Sequence, residues 1–374
     1  MKAGEALVKL LLAYGVDTVF GIPGTHSLEL YRGLANSKLT HVSPRHEQGG
    51  GFMADGYARI SGKPGVCFVI TGPGVTNIAT PLGEAYMDSV PMLLISPVNT
   101  PDAGGENIGR LHEIADQSAV TAPLTAFSAT AQTADDIPFL LARAFAVFAS
   151  ARPQPVHINI PLPVLHQKIG TEWAAVATPM RPAASSESLE ACAQLIARAQ
   201  RPVIVAGGGA RGVADGVTGL AERIAAPVIT TVAGRGVIPP AHALYPGAQL
   251  RADAVQTLLQ ESDLAILLGT ELSQTDHYND HLQLPAKQIR INLNPVALAG
   301  TEHTIAVQAD VGNAIEGLIA RCEKAHEDHA RSAAERSQVT REALAGSMMP
   351  KELAHIEVLN ALLAELPHDA IVTS

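Results

Sequence analysis

The sequence predicts an α/β protein made of two parallel-sheet domains and the start of a third. Short apolar runs alternate with helix-compatible stretches along most of the 374 residues, as repeated βα units do. Several of these runs are apolar at consecutive positions, as strands covered on both faces must be. Charged residues make up 17% of the chain, and the 32 glycines and 25 prolines are dispersed. That composition suits a densely packed scaffold and excludes a disordered chain.

Leu7, Leu10, Leu11 and Tyr14 share one helical face, which stops at Gly15, a residue favoured just past a helix end. Strands are expected at residues 18–20, 41–42, 66–70, 92–95 and 155–161, separated by helical stretches. The irregular stretch 166–187, with Pro179, Pro182 and a Ser-Ser pair, reads as a linker, so the first domain covers 1–165. The alternation restarts with strands at 203–206, 227–230, 264–268 and 288–291, which gives a second parallel α/β domain over 188–345. Residues 323–350, rich in charge, Ala and Ser, read as a solvent-exposed helix running into a linker. Beyond them a fresh helical stripe of Ile356, Leu359, Leu362, Leu363 and Leu366 leads to an expected buried strand at 369–373. Residues 346–374 are therefore expected to be a linker with the first helix and strand of a third α/β unit cut off at Ser374.

The formal net charge of −10 leaves no basic footprint for nucleic acid or an anionic membrane and points to small metabolites as partners. Cys67, Cys192 and Cys322 lie far apart without metal-ligand spacing, so they read as reduced, buried thiols, and no metal ligand is assigned in this chain. The amino-terminal stretch lacks a signal-peptide core, and no apolar run approaches membrane-spanning length. A cytoplasmic location is expected.

Two clusters carry chemistry. The stretch from Arg45 to Arg59 sets Glu47 beside Gly49, Gly50 and Gly51 as a helix opens. Each glycine weakens a helix by about 1 kcal/mol relative to alanine, so close approach is expected at that surface. For an isolated glutamate, the plainer role is a first-turn carboxylate favoured by the helix dipole. The second cluster, Thr71-Gly72-Pro73-Gly74-Val75-Thr76-Asn77, is a Gly/Pro turn after the 66–70 strand, at the strand end where open α/β sheets place ligands. Structurally, its glycines could serve only the turn and Asn77 could merely cap its helix.

Taken together and in order, Gly21-Ile22-Pro23-Gly24, His46-Glu47-Gln48, Gly56-Tyr57-Ala58-Arg59 and residues 71–77 resemble the pyrimidine-binding domain of thiamine diphosphate enzymes of the acetolactate synthase and 2-oxo acid decarboxylase family. Residues 201–210 and 230–236 resemble that family's Rossmann-like central domain. The resemblance implies thiamine diphosphate as cofactor and a 2-oxo acid as substrate, decarboxylated or carboligated through ylide and enamine intermediates. It also implies a homodimer or homotetramer with active sites between subunits. Glu47 is similar to the family glutamate that bonds a pyrimidine nitrogen of the cofactor. Thr71, Gly72, Pro73 and Asn77 match the turn near the aminopyrimidine, and Gly24 matches a loop facing the site across a subunit boundary.

The sequence departs from the family at Leu111-His112-Glu113, where its synthases often carry Phe-Gln-Glu. A histidine there suits proton relay in an aldehyde-releasing decarboxylase, since imidazoles titrate near neutrality; a surface-loop histidine is the plainer reading. The wider stretch, residues 111–117, looks more like decarboxylases of the 2-ketoarginine type.

Gly207, Gly209 and Gly212 follow an apolar strand and formally satisfy a dinucleotide fingerprint. No acid occurs between Glu222 and Asp253 to hold a ribose, so they read as turn glycines at an ancestral site where some family members bind FAD or an adenine nucleotide. A nucleotide-dependent oxidoreductase and a noncatalytic assembly module are the competing readings. The family's Gly-Asp-Gly motif for the diphosphate and Mg2+ does not occur in the chain, and its ligands are expected in the missing third domain. The chain by itself is therefore expected to turn over poorly.

Overall fold

Runs that are apolar at every position leave a strand no solvent side, so helices must cover both faces of its sheet. A computed structural model describes residues 1–99, 109–278, 282–367 and 370. The chain divides into two units, Met1–Arg181 and Pro182–Ser374, each an all-parallel sheet with flanking helices.

The first sheet contains β1 (Thr18–Gly21), β2 (Thr40–Val42), β3 (Gly65–Phe68), β4 (Met92–Val98), β5 (Phe127–Thr130) and β6 (Val156–Pro161). Their spatial order is β2-β1-β3-β4-β6-β5. The chain lays β2 on one side of β1 and β3 on the other, with Phe20 opposite both Val42 and Cys67. Connections therefore leave β1 and β3 in opposite directions, and a crevice at the carboxyl ends of these two strands is where such sheets hold ligands.

Helix Ala3–Ala13 packs Leu7, Leu10 and Leu11, all fully buried, into a core with Phe68, Leu93 and Ile158. Each such side chain contributes about 1.5–3 kcal/mol through burial. The helix stops at the expected place, before Gly15 at φ +84°. Residues 167–176 are held to this unit. Ala3 N–H donates to the Gln167 carbonyl, Val176 N–H donates to the Tyr14 hydroxyl, and Trp173 packs against the core.

The second sheet contains β7 (Pro202–Ala206), β8 (Val228–Thr230), β9 (Leu264–Leu268), β10 (Gln288–Asn292) and β11 (Thr304–Gln308), ordered β11-β10-β9-β7-β8. Over its first four strands its topology repeats that of the first, with the change of direction between β7 and β9.

Three features depart from the sequence-based expectation. β5 and β11 were not among the expected strands; β5 has no apolar run, and β11 has only Ile305-Ala306-Val307. Each lies at a sheet edge and is only partly buried, so its positions tolerate polar residues. Helix Glu327–Gly346, expected to be exposed, buries Ala333, Ser337, Thr340 and Leu344. That stripe has helical spacing but is small and polar apart from Leu344, so hydrophobicity did not reveal it. Arg341 on the same helix donates to the carbonyls of His242 and Tyr245 at 3.0 and 2.7 Å. The expected linker at Pro350 is instead the start of helix Pro350–Glu365, where proline suits the first turn. Its Leu359, Leu362 and Leu363 are exposed. The strand expected at 369–373 falls outside the described residues apart from Ala370.

All three cysteines are free and buried. Among the described residues no helix is long and apolar enough to cross a membrane.

Candidate active site

Glu47 is the first residue of helix Glu47–Ser61, which follows β2. The ring Nδ1 of His46, the capping residue, accepts the Gln48 N–H at 3.2 Å. Of the glycines beside Glu47, Gly50 and Gly51 serve a close approach within the protein, while a Cβ on Gly49 would meet nothing. A Cβ on Gly51 would sit 2.3 Å from Pro81 Cγ and 2.9 Å from Ile78 Cγ1, and one on Gly50 would sit 2.8 Å from Pro44 Cγ. This approach brings the start of the helix to the turn after β3, where Asn77 Nδ2 donates to Glu47 Oε2 at 2.9 Å. Asn77 is thus spent on the carboxylate and not on its own helix. Glu47 Oε1 has no hydrogen-bond donor among the described residues.

In that turn, Pro73 opens the single helical turn Pro73–Asn77, where its missing N–H costs nothing. Gly72 has φ +66°, and a Cβ there would lie 2.2 Å from the His112 carbonyl oxygen. Only glycine meets both demands. The buried Thr71 hydroxyl donates to the Pro97 carbonyl at 2.7 Å, and Gly72 N–H donates to Gln117 Oε1 at 2.9 Å.

Gln117, which the sequence reading did not single out, links the turn to a buried polar network. Its amide donates to Ser96 Oγ at 2.7 Å and Asn159 Oδ1 at 2.6 Å. Ser96 Oγ lies 2.7 Å from His157 Nε2, and Thr121 Oγ1 lies 2.7 Å from His157 Nδ1. Full burial holds His157 down to about 3. The neutral ring, with its proton on Nε2 and Nδ1 accepting, satisfies both neighbours. The missed signal was the polar side chains Ser96, His157 and Asn159 set inside two apolar strands.

Gly24, in the loop after β1, leaves no room for a side chain, because a Cβ would lie 2.4 Å from Ile70 Cγ2. Two residues on, His26 is 6% exposed, and its ring centroid lies 5.5 Å from that of His112. His112 is half-buried, with φ +57°. Sequence reasoning overlooked His26, although it lies two residues past the Gly21–Gly24 motif. Tyr31 packs edge-on to His41, with ring centroids 5.0 Å apart, and its buried hydroxyl has no partner. Burial chiefly, with the charges of Cys67 and Glu47, pushes its pKa up.

The donor set fits an aminopyrimidine. A carboxylate with one oxygen fixed by an amide and the other free can accept a ring N–H, and Glu47 stands at the switch point of the sheet with Gly72 and Asn77. In the second unit the glycines do different work. Gly209 N–H donates to the Gly269 carbonyl at 3.0 Å, and a Cβ on Gly207 would meet that same oxygen at 2.4 Å. Among the described residues no group of three or more His, Cys, Asp or Glu could hold a metal ion.

The family model described as the thiamine pyrophosphate enzyme N-terminal TPP binding domain matches residues 1–120, and that of the central domain matches 189–318. The chain is 48% identical over 377 residues to the probable 2-ketoarginine decarboxylase AruI of Pseudomonas aeruginosa, covering all of this chain and 67% of that protein. It is 38% identical over 339 residues to an acetolactate synthase of Mycobacterium bovis, covering 87% of this chain and 54% of that one. A structure from Mycobacterium smegmatis, assigned to the thiamin diphosphate-dependent enzymes, superposes with a TM-score of 0.78 at 25% identity, covering 87% of this chain and 63% of that one. The chain thus spans between about half and two thirds of the length of these relatives.

Proposed function

The chain belongs to the thiamine pyrophosphate enzyme family, and from that premise we propose that it supplies the pyrimidine-binding side of a thiamine diphosphate-dependent 2-oxo acid decarboxylase. The observation that carries this reading is the Glu47 carboxylate, fixed on one oxygen by Asn77 and free on the other.

When bound, the cofactor supplies a carbon nucleophile and an electron sink for the pair released as carbon dioxide leaves. Glu47 holds the proton on a pyrimidine nitrogen and so sets the tautomer of the ring. Asn77 aims that carboxylate. Thr71, Gly72 and Pro73 shape the turn that would receive the ring, and Gln117 fixes that turn through Gly72 N–H. Gly24 lets the loop after β1 approach Ile70, and His112 stands over Gly72 to handle protons. The diphosphate and Mg2+ are assigned to a further domain, and FAD or an adenine nucleotide remains the alternative for the central domain. A cytoplasmic homodimer or homotetramer with shared active sites completes the reading.

The 48% identity to a 2-ketoarginine decarboxylase supports decarboxylation, whereas the acetolactate synthases support carboligation as the second reading. The test is to incubate the intact enzyme with thiamine diphosphate, Mg2+ and a panel of 2-oxo acids, following carbon dioxide, aldehyde and acetolactate-type products separately. Aldehyde in step with carbon dioxide is expected. Carboligated product alone would favour the second reading, and no thiamine binding would sink both.

A further inference from the structure

His26 and His112 are the two imidazoles at the carboxyl ends of β1 and β3 that the fold does not use for itself. His26 is 6% exposed and has no hydrogen-bond partner among the described residues. The buried Nδ1 of His112 is likewise without a partner. Their ring centroids are 5.5 Å apart and the rings are tilted by 41°.

The loop bearing His112 is built to keep it there. Gly109 and Arg110 N–H groups both donate to Glu113 Oε2, at 2.9 and 3.0 Å. Asn99 Nδ2 donates to the Leu111 carbonyl at 3.0 Å, and the His112 carbonyl oxygen packs on Gly72. These contacts hold His112 at φ +57°, a left-handed conformation that costs a non-glycine residue free energy and persists where the surroundings over-determine it.

We propose that His26 and His112 act as one proton-handling pair, with His26 a second and previously unassigned member, and that the pair delivers the proton an aldehyde-releasing decarboxylase needs. This rests on the functional reading above. Decarboxylation of a 2-oxo acid to an aldehyde consumes one proton. The bond to the carboxylate breaks, its electron pair stays on the former keto carbon, and a C–H bond forms there as an imidazolium N–H bond breaks. Water then reprotonates the pair. A carboligase makes a C–C bond at that carbon and delivers its proton to the acceptor's carbonyl oxygen instead.

Two adjacent imidazoles share one proton more readily than they carry two. Burial first, and the neighbouring His112 second, lower the pKa of His26. Among the described residues the elements packed on its turn bring no other unpaired charge. β4 has no titratable residue, and on the following helix Arg32 is paired with Glu29, which also takes Lys2 and His166, while Tyr31 is neutral. The helical turn beside His112, Pro73–Asn77, has none either, and Glu113 is occupied by its loop.

The test is 13Cε1-histidine NMR titration of the cofactor-free protein as wild type, His112→Gln and His26→Gln, with peaks assigned by their loss. In His112→Gln the His26 titration should move up toward the ordinary imidazole range. Identical His26 titrations in wild type and variant would overturn the pair. In the loaded intact enzyme both variants should release a burst of about one carbon dioxide per active site and then make aldehyde and carbon dioxide together at least about tenfold more slowly than wild type, within the range of general acid catalysis. An unchanged steady-state aldehyde rate would equally overturn it. A wild-type enzyme that consumes no 2-oxo acid would instead overturn the functional reading, while the NMR coupling is judged on its own.

Discussion

The two sheets change direction in the same way, between β1 and β3 in the first unit and between β7 and β9 in the second, yet they use that position differently. In the second unit the loops close on each other, with Gly209 bonded to Gly269 and Gly207 allowing the approach. In the first, the loops carry titratable groups: His26 lies two residues past Gly24, His112 packs on Gly72, and Glu47 meets Asn77. Topology therefore offers a binding position in both units. Which one becomes a chemical site depends on whether its glycines admit protein backbone alone or also bring titratable side chains together.

The largest expected effect tests the chemical side of this contrast. Glu47→Gln should slow cofactor activation, read as NMR exchange of the reactive thiamine proton in the intact enzyme, by at least about 100-fold, at the scale of a lost acid–base group. An unchanged exchange rate would remove Glu47 from the role and make the two switch points alike.

The next effect is acid sensitivity. His157 falls from the ordinary 6.5 to about 3 on folding, so between those values the unfolded chain binds a proton that the folded chain refuses. The stability it contributes is fully present above about pH 6.5 and is lost as pH falls toward 3, with a slope of up to about 1.4 kcal/mol per pH unit. Denaturant melts at stepped pH should show this, with a shallower fall in His157→Gln. Because Ser96 and Gln117 connect His157 to Gly72, the site turn should loosen over the same range.

Gly72→Ala should cost about 1–3 kcal/mol of stability from its positive φ, and more where the Cβ meets the His112 carbonyl. Cofactor binding should weaken with it. Gly209→Ala sharpens the comparison from the other side. Its Cβ would lie 2.9 Å from Gly269 Cα, so a thermal melt should report a loss of about 1–3 kcal/mol. Pyrimidine-side behaviour should be unchanged, and a fall in thiamine affinity of the same size as in Gly72→Ala would erase the distinction.

Much of the fold was legible because buried parallel strands must be apolar throughout. Residues 66–70 and 264–268 state this plainly, whereas edge strands such as Phe127–Thr130 carry no such demand. Helix Glu327–Gly346 was misjudged because it buries small and polar residues, whose fit depends on the surface they meet.

The sequence by itself determined the alternation of elements, the glycine turns and the carboxylate at Glu47, since these follow from local periodicity and backbone freedom. Only the tertiary structure decided what the glycines were for. Gly50 and Gly51 let the Glu47 helix approach, while Gly207 and Gly209 let one backbone rest on another. It also decided that His26 meets His112 and that Gln117 holds Gly72, contacts across 86 and 45 residues of chain. Such contacts depend on which strands become neighbours, and no local pattern encodes that.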